Sequence, residues 1–386
     1  MKNIHIKIVE NKTGQPFISP LQPKQRFDFI DQFRGLIGIL MLLGHSSYYF
    51  NSIWLSLDPL DPVFPDRSQF VLRYVGYLCA PGFLMMSGAM VWWSYQQRIR
   101  KGISGWIARW HLIQRGLFLV VVQMIWVNSS WGGFSEFQPW HLGIIASIGL
   151  SMIFLTLIVS WHWQIRLLVG FVIFLIYPFL LTIPYNTEVM WQQVLMQTFI
   201  DAGEFNKYPV VPWFALATLG SGMATAWLQV WKTDKKRILM SVLIATIALL
   251  MAIAVRLGRG YGNIFPFSYL GSYSFLIDQK YPPSLFMNLW FFAMVVFGIT
   301  AFIAIGHVVP KLLKVFAIVG KVPLFFYAMH LAILGTFVKR FDFFYREGGV
   351  LVSLIGLVVM LAVMLPLCQW FYGVKSRSKN YFIRLI

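Results

Sequence analysis

Apolar runs long enough to cross a bilayer recur along the whole chain, each close to the ~20 residues that a helix needs to span a hydrocarbon core of ~30 Å. Ten are marked out, near residues 35–50, 69–93, 111–129, 139–160, 165–183, 208–230, 237–257, 283–306, 315–338 and 349–372. Ten such runs take up about half of the 386 residues, and no connection between them is long enough for a sizeable separate domain. The expected fold is therefore all-α, a polytopic membrane helix bundle of about ten transmembrane helices. Residues 1–25 form a polar tail, 26–374 the membrane domain and 375–386 a basic tail. Only 12% of residues are charged, half the ~25% of ordinary soluble proteins, which excludes a soluble globular protein.

The formal charge of +18 would suit nucleic acid, but its distribution points to membrane orientation instead. With the N-terminus inside, the inward segments carry Lys2, Lys7, Lys12, Lys24, Arg26 and Arg34, then Arg98, Arg100, Lys101 and Arg109, then Lys232, Lys235, Lys236 and Arg237, then Lys375, Arg377, Lys379 and Arg384. The outward segments carry Asp58, Asp61, Asp66, Glu136, Glu188, Asp201, Glu204, Asp278, Asp342 and Glu347; Lys339, Arg340 and Arg346 run against this trend. This is the positive-inside pattern, and an even number of spans then puts both termini in the cytoplasm. A multi-pass protein of the bacterial inner membrane is expected, partnered by the lipid bilayer and by no nucleic acid. No apolar run of signal-peptide type precedes the first span, so insertion is expected to begin there. Cys79 and Cys368 lie far apart in apolar runs, which makes a structural disulfide an unsuitable expectation. Trp126, Trp131, Trp140, Trp191, Trp213, Trp231, Trp290 and Trp370 cluster near span ends and are expected to be mostly interface anchors.

A charged side chain at the centre of a span costs ~2.5–3.5 kcal/mol on insertion scales, so function is sought where polar groups interrupt the runs. In RFDFIDQFRG, residues 26–35, Asp31 and Arg34 share one helical face, either as an ion pair that orients the helix or as plain interfacial charge. His45 follows eleven residues after Arg34, ~16 Å further along a helix and near the middle of the bilayer. Ser46, Ser47, Tyr48 and Tyr49 come next, so the outer half of this span is polar enough to face a cavity. His45 is thus read as a functional imidazole, with a hydrogen-bonded packing role as the alternative.

The second span carries LCAPGFLMMSG, residues 78–88, where Pro81 removes a backbone donor and Gly82, Ser87 and Gly88 remove bulk; a kink with close helix packing is expected. Arg73 is expected to snorkel outward from it. Gln123 and Asn128 follow Arg115 in the third span, and the connection runs through Trp131 and Glu136 to Trp140 and His141. That mixture suits a carbohydrate, whose CH faces pack on aromatic rings while amides and carboxylates take its hydroxyls; interfacial anchoring is the other reading. Arg256, Tyr261 and Asn263 add polar groups to the same side, as does KYPPSL, residues 280–285, with Lys280 and Tyr281. The ninth span contains GKVPLFFYAMH, residues 320–330, with Lys321 in its inner half, Pro323 as a breaker and His330 as a second intramembrane histidine. His330 either pairs with His45 across a central cavity or packs. There is no GxxxxGK[ST], HExxH, GxSxG or CxxC, and the seven histidines lack ligand spacing, so no metal is expected.

Taken together, RFDFIDQFRG with His45 downstream, LCAPGFLMMSG, RLGRGYGN, KYPPSL, GKVPLFFYAMH and the closing LPLCQWFYGVKSRSKN resemble the heparan-α-glucosaminide N-acetyltransferase family, in particular its bacterial membrane members. The resemblance implies an enzyme that takes an acyl group from coenzyme A, as acetyl-CoA, at the cytoplasmic face. It delivers the group to a sugar amine or hydroxyl of an envelope glycan or glycolipid beyond the membrane. Arg34, Arg109, Arg115 or Lys321 would neutralise the donor's phosphates. His45 would be the general base, Asn128 or Tyr77 the oxyanion donor, and His330 a group that orients the acceptor, with Asp31 and Arg34 beside them. Tyr77, Asn128, Trp140, His141, Arg256, Lys280 and Tyr281 are the candidate substrate contacts. Two departures from the family pattern stand out. Tyr77 occupies the place of a histidine found in many bacterial relatives, and the loop after the first span has no histidine, leaving Asp58, Asp61 and Asp66 as its candidate bases or as a solvated acidic loop. The rival reading is a transporter or flippase of an envelope glycan or lipid intermediate, since broken helices and midplane polar groups serve carriers equally well.

Overall fold

A computed structural model describes residues 28–56, 66–306 and 308–385, and among these every regular element is helical. The tail at 1–25, Lys24, Arg26, Asp58 and Asp61 lie outside the described residues. The first third of the chain forms α1 (Asp28–Phe50), α2 (Arg67–Tyr77), α3 (Cys79–Arg100), α4 (Gly105–Val122) and α5 (Asn128–Trp131). Next come α6 (Ile144–Ile158), α7 (Trp163–Leu180), α8 (Met190–Phe199), α9 (Val210–Thr225) and α10 (Asp234–Leu257). The last third holds α11 (Tyr273–Leu276), α12 (Leu285–Ile305), α13 (Pro310–Lys321), α14 (Pro323–Ile333), α15 (Val350–Arg377) and α16 (Tyr381–Leu385). Three π-helical segments, Gln123–Val127, Ala226–Val230 and Leu334–Arg340, prolong α4, α9 and α14.

Each of the ten apolar runs falls on a helix or a helix pair, but they differ in kind. Six helical stretches are long and apolar enough to cross a membrane: Arg67–Arg100, Gly105–Trp131, Trp163–Leu180, Asp234–Leu257, Leu285–Ile305 and Val350–Arg377. Leu313–Lys321 and Pro323–Arg340 make a seventh if taken as one span, bent by 86° at Val322. Pro323 begins α14 there, where its missing N–H interrupts no hydrogen bond of its own helix. The remaining runs fall on α1, α6 and α9. α6 is apolar but only 15 residues long, whereas α1 and α9 carry polar or small residues because they sit inside the bundle, and 14 of the 16 residues of α9 are buried. By contrast only 22% of the spanning window of α10 and 17% of that of α15 are buried, so Leu243, Leu250, Leu351 and Val358 face outward as a lipid surface.

Pro81 lies in the first turn of α3, and the break expected there comes at Leu78, between α2 and α3. Close packing follows as expected, at glycines. A Cβ on Gly88 would strike the carbonyl of Ala217, and one on Gly220 that of Met85, so α3 and α9 meet backbone to backbone. The same holds between α1 and α13, where Gly35 abuts the carbonyl of Phe316 and Gly320 that of Asp31. Such approach replaces the hydrophobic effect, which does not drive helix association in lipid, by dense van der Waals contact.

The tryptophans divide. Trp140, Trp191 and Trp370 are exposed as interface anchors would be, whereas Trp213, Trp231 and Trp290 are buried in the bundle and Trp131 turns inward. Trp213 and Trp290 are buried because α9 is enclosed and most of α12 is packed inside the bundle.

Substituting Gly35 by Ala should push α1 off α13 and cost ~1–3 kcal/mol of stability, as overpacking does. Gly373→Ala, with open space at the Cβ position, should be neutral or slightly stabilising. Thermal unfolding in detergent compares the two.

Candidate functional site

α1 runs unbroken from Asp28 to Phe50, so Arg34 and His45 lie on one rigid rod. Asp31 is buried and its Oδ1 is 3.4 Å from Arg34 Nη1, the expected pairing at the start of the helix. Beside α1 opens a cavity of 690 Å3, a size that takes a small-molecule ligand. It follows α1 from Arg34 past Met41, His45 and Tyr48 to Trp54. Arg34 and Tyr48 are about 14 residues apart, so the cavity is ~21 Å long at helical rise. Its far wall comes from α3, α4 and α6, and from Tyr327 on α14.

At the first end stand Arg34 and, from α4, Arg115. Like charges so gathered favour a multiply charged anion between them. Arg109 and Lys321, grouped with them from sequence, are elsewhere. Arg109 donates to the Thr156 carbonyl at 3.0 Å and the Ser160 hydroxyl at 2.8 Å, tying α4 to the end of α6. Lys321 ends α13 with its ammonium 5.1 Å over the Tyr372 ring. Neither lines the cavity.

Midway, His45 and His330 meet. His45 Nδ1 is 2.8 Å from His330 Nε2, and His330 Nδ1 is 2.5 Å from the Phe326 carbonyl oxygen. A carbonyl only accepts, so His330 carries its proton on Nδ1 and its Nε2 accepts; His45 must then donate from Nδ1. That order leaves the lone pair of His45 on Nε2. His45 is half-buried and lines the cavity, while His330 is fully buried behind it. The two histidines therefore bond directly rather than across a cavity, and His330 has no face for an acceptor. Trp131 and Tyr327 hold the His45 ring edge-on at centroid distances of 5.0 and 5.7 Å.

The second end gathers Tyr77, Asn128, His141, Lys280 and Tyr281 from the sequence-based set. The Lys280 ammonium lies 4.7 Å over the Tyr77 ring and 5.2 Å over that of Tyr281. Tyr281 shares a 2.8 Å hydrogen bond with the Tyr208 hydroxyl. Asn128 is unsuited to hold an oxyanion: its amide donates to the Gln138 carbonyl at 2.9 Å and the His141 carbonyl at 2.8 Å, and its oxygen accepts from Gln123 at 2.8 Å. It fixes the loop instead.

Trp140 and Arg256 do not join the site. Trp140 is 74% exposed. Arg256 is fully buried and donates to the Phe275, Phe265, Ser274 and Ile277 carbonyls and to Asn263, with Asp278 at 3.6 Å. A guanidinium so enclosed knots the 258–278 connection and has no donor left for a substrate. Asp66 is likewise structural. It caps α2 by accepting from Gln69 N–H, and the Ser68 hydroxyl and that N–H hold its carboxyl below the usual range.

Sequence reasoning passed over Lys207, Tyr208 and Tyr327, which line the cavity, and gave Arg73 no place in the site although it lines the cavity too. Tyr327 stands three residues before His330 on one face, a signal available in the sequence. Arg73 lies 4.0 Å over the Trp54 ring, past the end of α1, and donates to the Trp54 carbonyl at 2.6 Å. Lys207 had no local signal.

A family model described as heparan-alpha-glucosaminide N-acetyltransferase, catalytic, matches residues 26–261, which take in α1 to α10 and hence Arg34, His45 and Arg115. A comparison with curated proteins found no match.

Replacing Arg256 by Met leaves the buried Asp278 carboxylate uncompensated and should cost ~3–5 kcal/mol of stability. Trp140→Ala should leave unfolding unchanged. Denaturation monitored in detergent checks both.

Proposed function

Because the chain belongs to the heparan-α-glucosaminide N-acetyltransferase family, we propose that it moves an acyl group, acetyl first of all, from acyl-CoA to a sugar amine or hydroxyl of an envelope glycan or glycolipid. The donor's phosphates lie between Arg34 and Arg115 on the cytoplasmic side, the acceptor enters from the outer side, and the thioester meets it beside His45. The protein then works in the bacterial inner membrane, with its basic segments inside.

The observation that carries this reading is the hydrogen-bonded chain from His45 through His330 to the Phe326 carbonyl, opening on a cavity with cations at both ends. His45 Nε2 takes the acceptor's proton as its nitrogen or oxygen attacks the thioester carbonyl. The C–S bond breaks, and the proton passes to the departing CoA sulfur. While His45 is protonated, its Nδ1–H remains bonded to His330 Nε2. A base positioned in this way contributes ~10²–10⁴ in rate. His330 is the positioning residue, holding the tautomer and ring orientation that the reaction needs.

The 86° bend at Val322 would also suit a carrier. Acetyl-CoA separates the two readings, since it should raise the unfolding temperature of the purified transferase and leave a carrier unaffected.

His45→Ala should lower kcat for acetyl transfer by ~10²–10⁴ with the protein still inserted. His330→Phe should lower kcat with little change in the acetyl-CoA KM, and His330→Gln, whose amide oxygen can accept from His45, should recover part of it. Steady-state kinetics in nanodiscs reads all three, and a fully active His45→Ala enzyme would remove this mechanism.

A further inference from the structure

In the reaction proposed for this site His45 handles the proton, but negative charge also gathers on the thioester oxygen as the acceptor attacks. A donor that stabilises such an oxyanion must be fixed in place beforehand and shielded from water. Neither group expected from sequence meets that need. The Asn128 amide is committed to the Gln138 and His141 carbonyls, and the Tyr77 hydroxyl oxygen is buried. Lys280 stands at the second end of the cavity, over the Tyr77 and Tyr281 rings.

Among the described residues, three rings pack on that of His45: His330, Trp131 and Tyr327. Both nitrogens of His330 are engaged, one with His45 and the other with the Phe326 carbonyl. Trp131 is itself packed, edge-on to Tyr48 at 4.9 Å and parallel to Tyr49 at 6.0 Å. Tyr327 lines the cavity while only 5% exposed, and it stands edge-on to both histidines, 5.7 Å from each ring centroid. Its hydroxyl donates to no protein acceptor among the described residues. Phe325 and Phe326 precede it on α14 and supply rings alone, Phe326 meeting His330 at 5.1 Å. Position 327 adds a phenol, which ionises near pKa ~10 and is a stronger donor than an indole. Tyr327 and His330 are three residues apart and share a face of α14, so the turn that fixes the partner of the base also fixes the phenol.

We propose that Tyr327 is a catalytic residue whose hydroxyl donates to the carbonyl oxygen of the donor thioester while His45 acts on the proton of the acceptor. This rests on the acyltransferase reading above and deepens it. As the acceptor's nitrogen or oxygen bonds to the acyl carbon, the carbonyl π pair moves onto the oxygen, where the Tyr327 O–H holds it without giving up its proton. The pair then returns, the C–S bond breaks, and the sulfur takes the proton that His45 had accepted. Nothing is oxidised or reduced, and the same donation serves an amine or a hydroxyl acceptor.

Tyr327→Phe keeps the ring against His45 and His330 and removes only the hydroxyl, so a packing role alone leaves the enzyme unchanged. The full chain in nanodiscs is loaded with acetyl-CoA labelled at its carbonyl, and infrared difference spectra record the bound carbonyl band. Donation weakens the C=O bond, so the band should lie at lower frequency in the parent than in Tyr327→Phe, and Trp131→Phe should keep the parent's frequency. CoA release, with glucosamine as one probe acceptor and water as the other, should fall by ~10²–10³ in kcat in Tyr327→Phe with the acetyl-CoA KM unchanged. Equal band frequencies in the parent and Tyr327→Phe, parent kcat in that variant, or a band that shifts only in Trp131→Phe would overturn the proposal. Failure of the acyltransferase reading would appear separately, as the absence of a bound carbonyl band together with no thermal stabilisation by acetyl-CoA.

Discussion

Hydrocarbon leaves a hydrogen-bonding group nowhere to go, so every polar side chain within the bundle must find a partner or a wet space. The helices are sorted by that constraint. α10 and α15 present leucine and valine to the outside, whereas α1 and α9, with their glycines, serines and histidine, are enclosed. Glycine contacts close one side of α1 against α13, and the cavity occupies another side. The site is therefore a consequence of the sorting: a helix too polar for lipid and too valuable to bury dry is lined with space.

Two irregularities of the backbone bring the polar groups into position. The break at Val322 turns α14 away from α13 and sets His330 against His45. The π-helical segment at Gln123–Val127 does comparable work on α4. Residues five apart on an α-helix are separated by about 140° around its axis, given 3.6 residues per turn. One π turn brings them into line, and the Gln123 amide reaches Asn128 at 2.8 Å. Gln123 also accepts from the Ile145 N–H at the start of α6, so the widened turn locks α4, α6 and the 132–143 connection at the cavity wall.

The fold was legible in the sequence because bilayer thickness fixes a length, and all ten runs fall on helices. Several helices outrun their apolar runs, α1 starting seven residues before its run and α3 ending seven after, and membership of the lipid-facing or enclosed set depends on neighbours that no single run encodes. His45 and Arg34 were legible because a polar group in an apolar run is expensive. Arg256 met the same criterion and misled, since a guanidinium saturated by loop carbonyls and one facing a ligand have the same sequence signal. Asn128 misled in a similar way: its position at the cavity was inferred correctly, but its donors are taken by the Gln138 and His141 carbonyls. The direct bond between two histidines 285 residues apart depended on helix rotation, which periodicity does not supply.

The charge rule that orients the chain counts lysine and arginine without asking what each one touches. In the segments that the rule places outside, the cations fall into two groups. Arg256 is surrounded by carbonyls and Asp278, Arg340 donates to the Gly133 carbonyl at 3.3 Å, and Arg346 stacks 4.8 Å over Tyr345. Those are consumed by the loops they hold. Lys207 and Lys280 instead line the cavity, Lys280 with its ammonium over the Tyr77 and Tyr281 rings. A cation on the disfavoured side of a membrane carries a cost in topology, and contacts with carbonyls, a carboxylate or aromatic rings, such as those of Lys280 with Tyr77 and Tyr281, offset part of it.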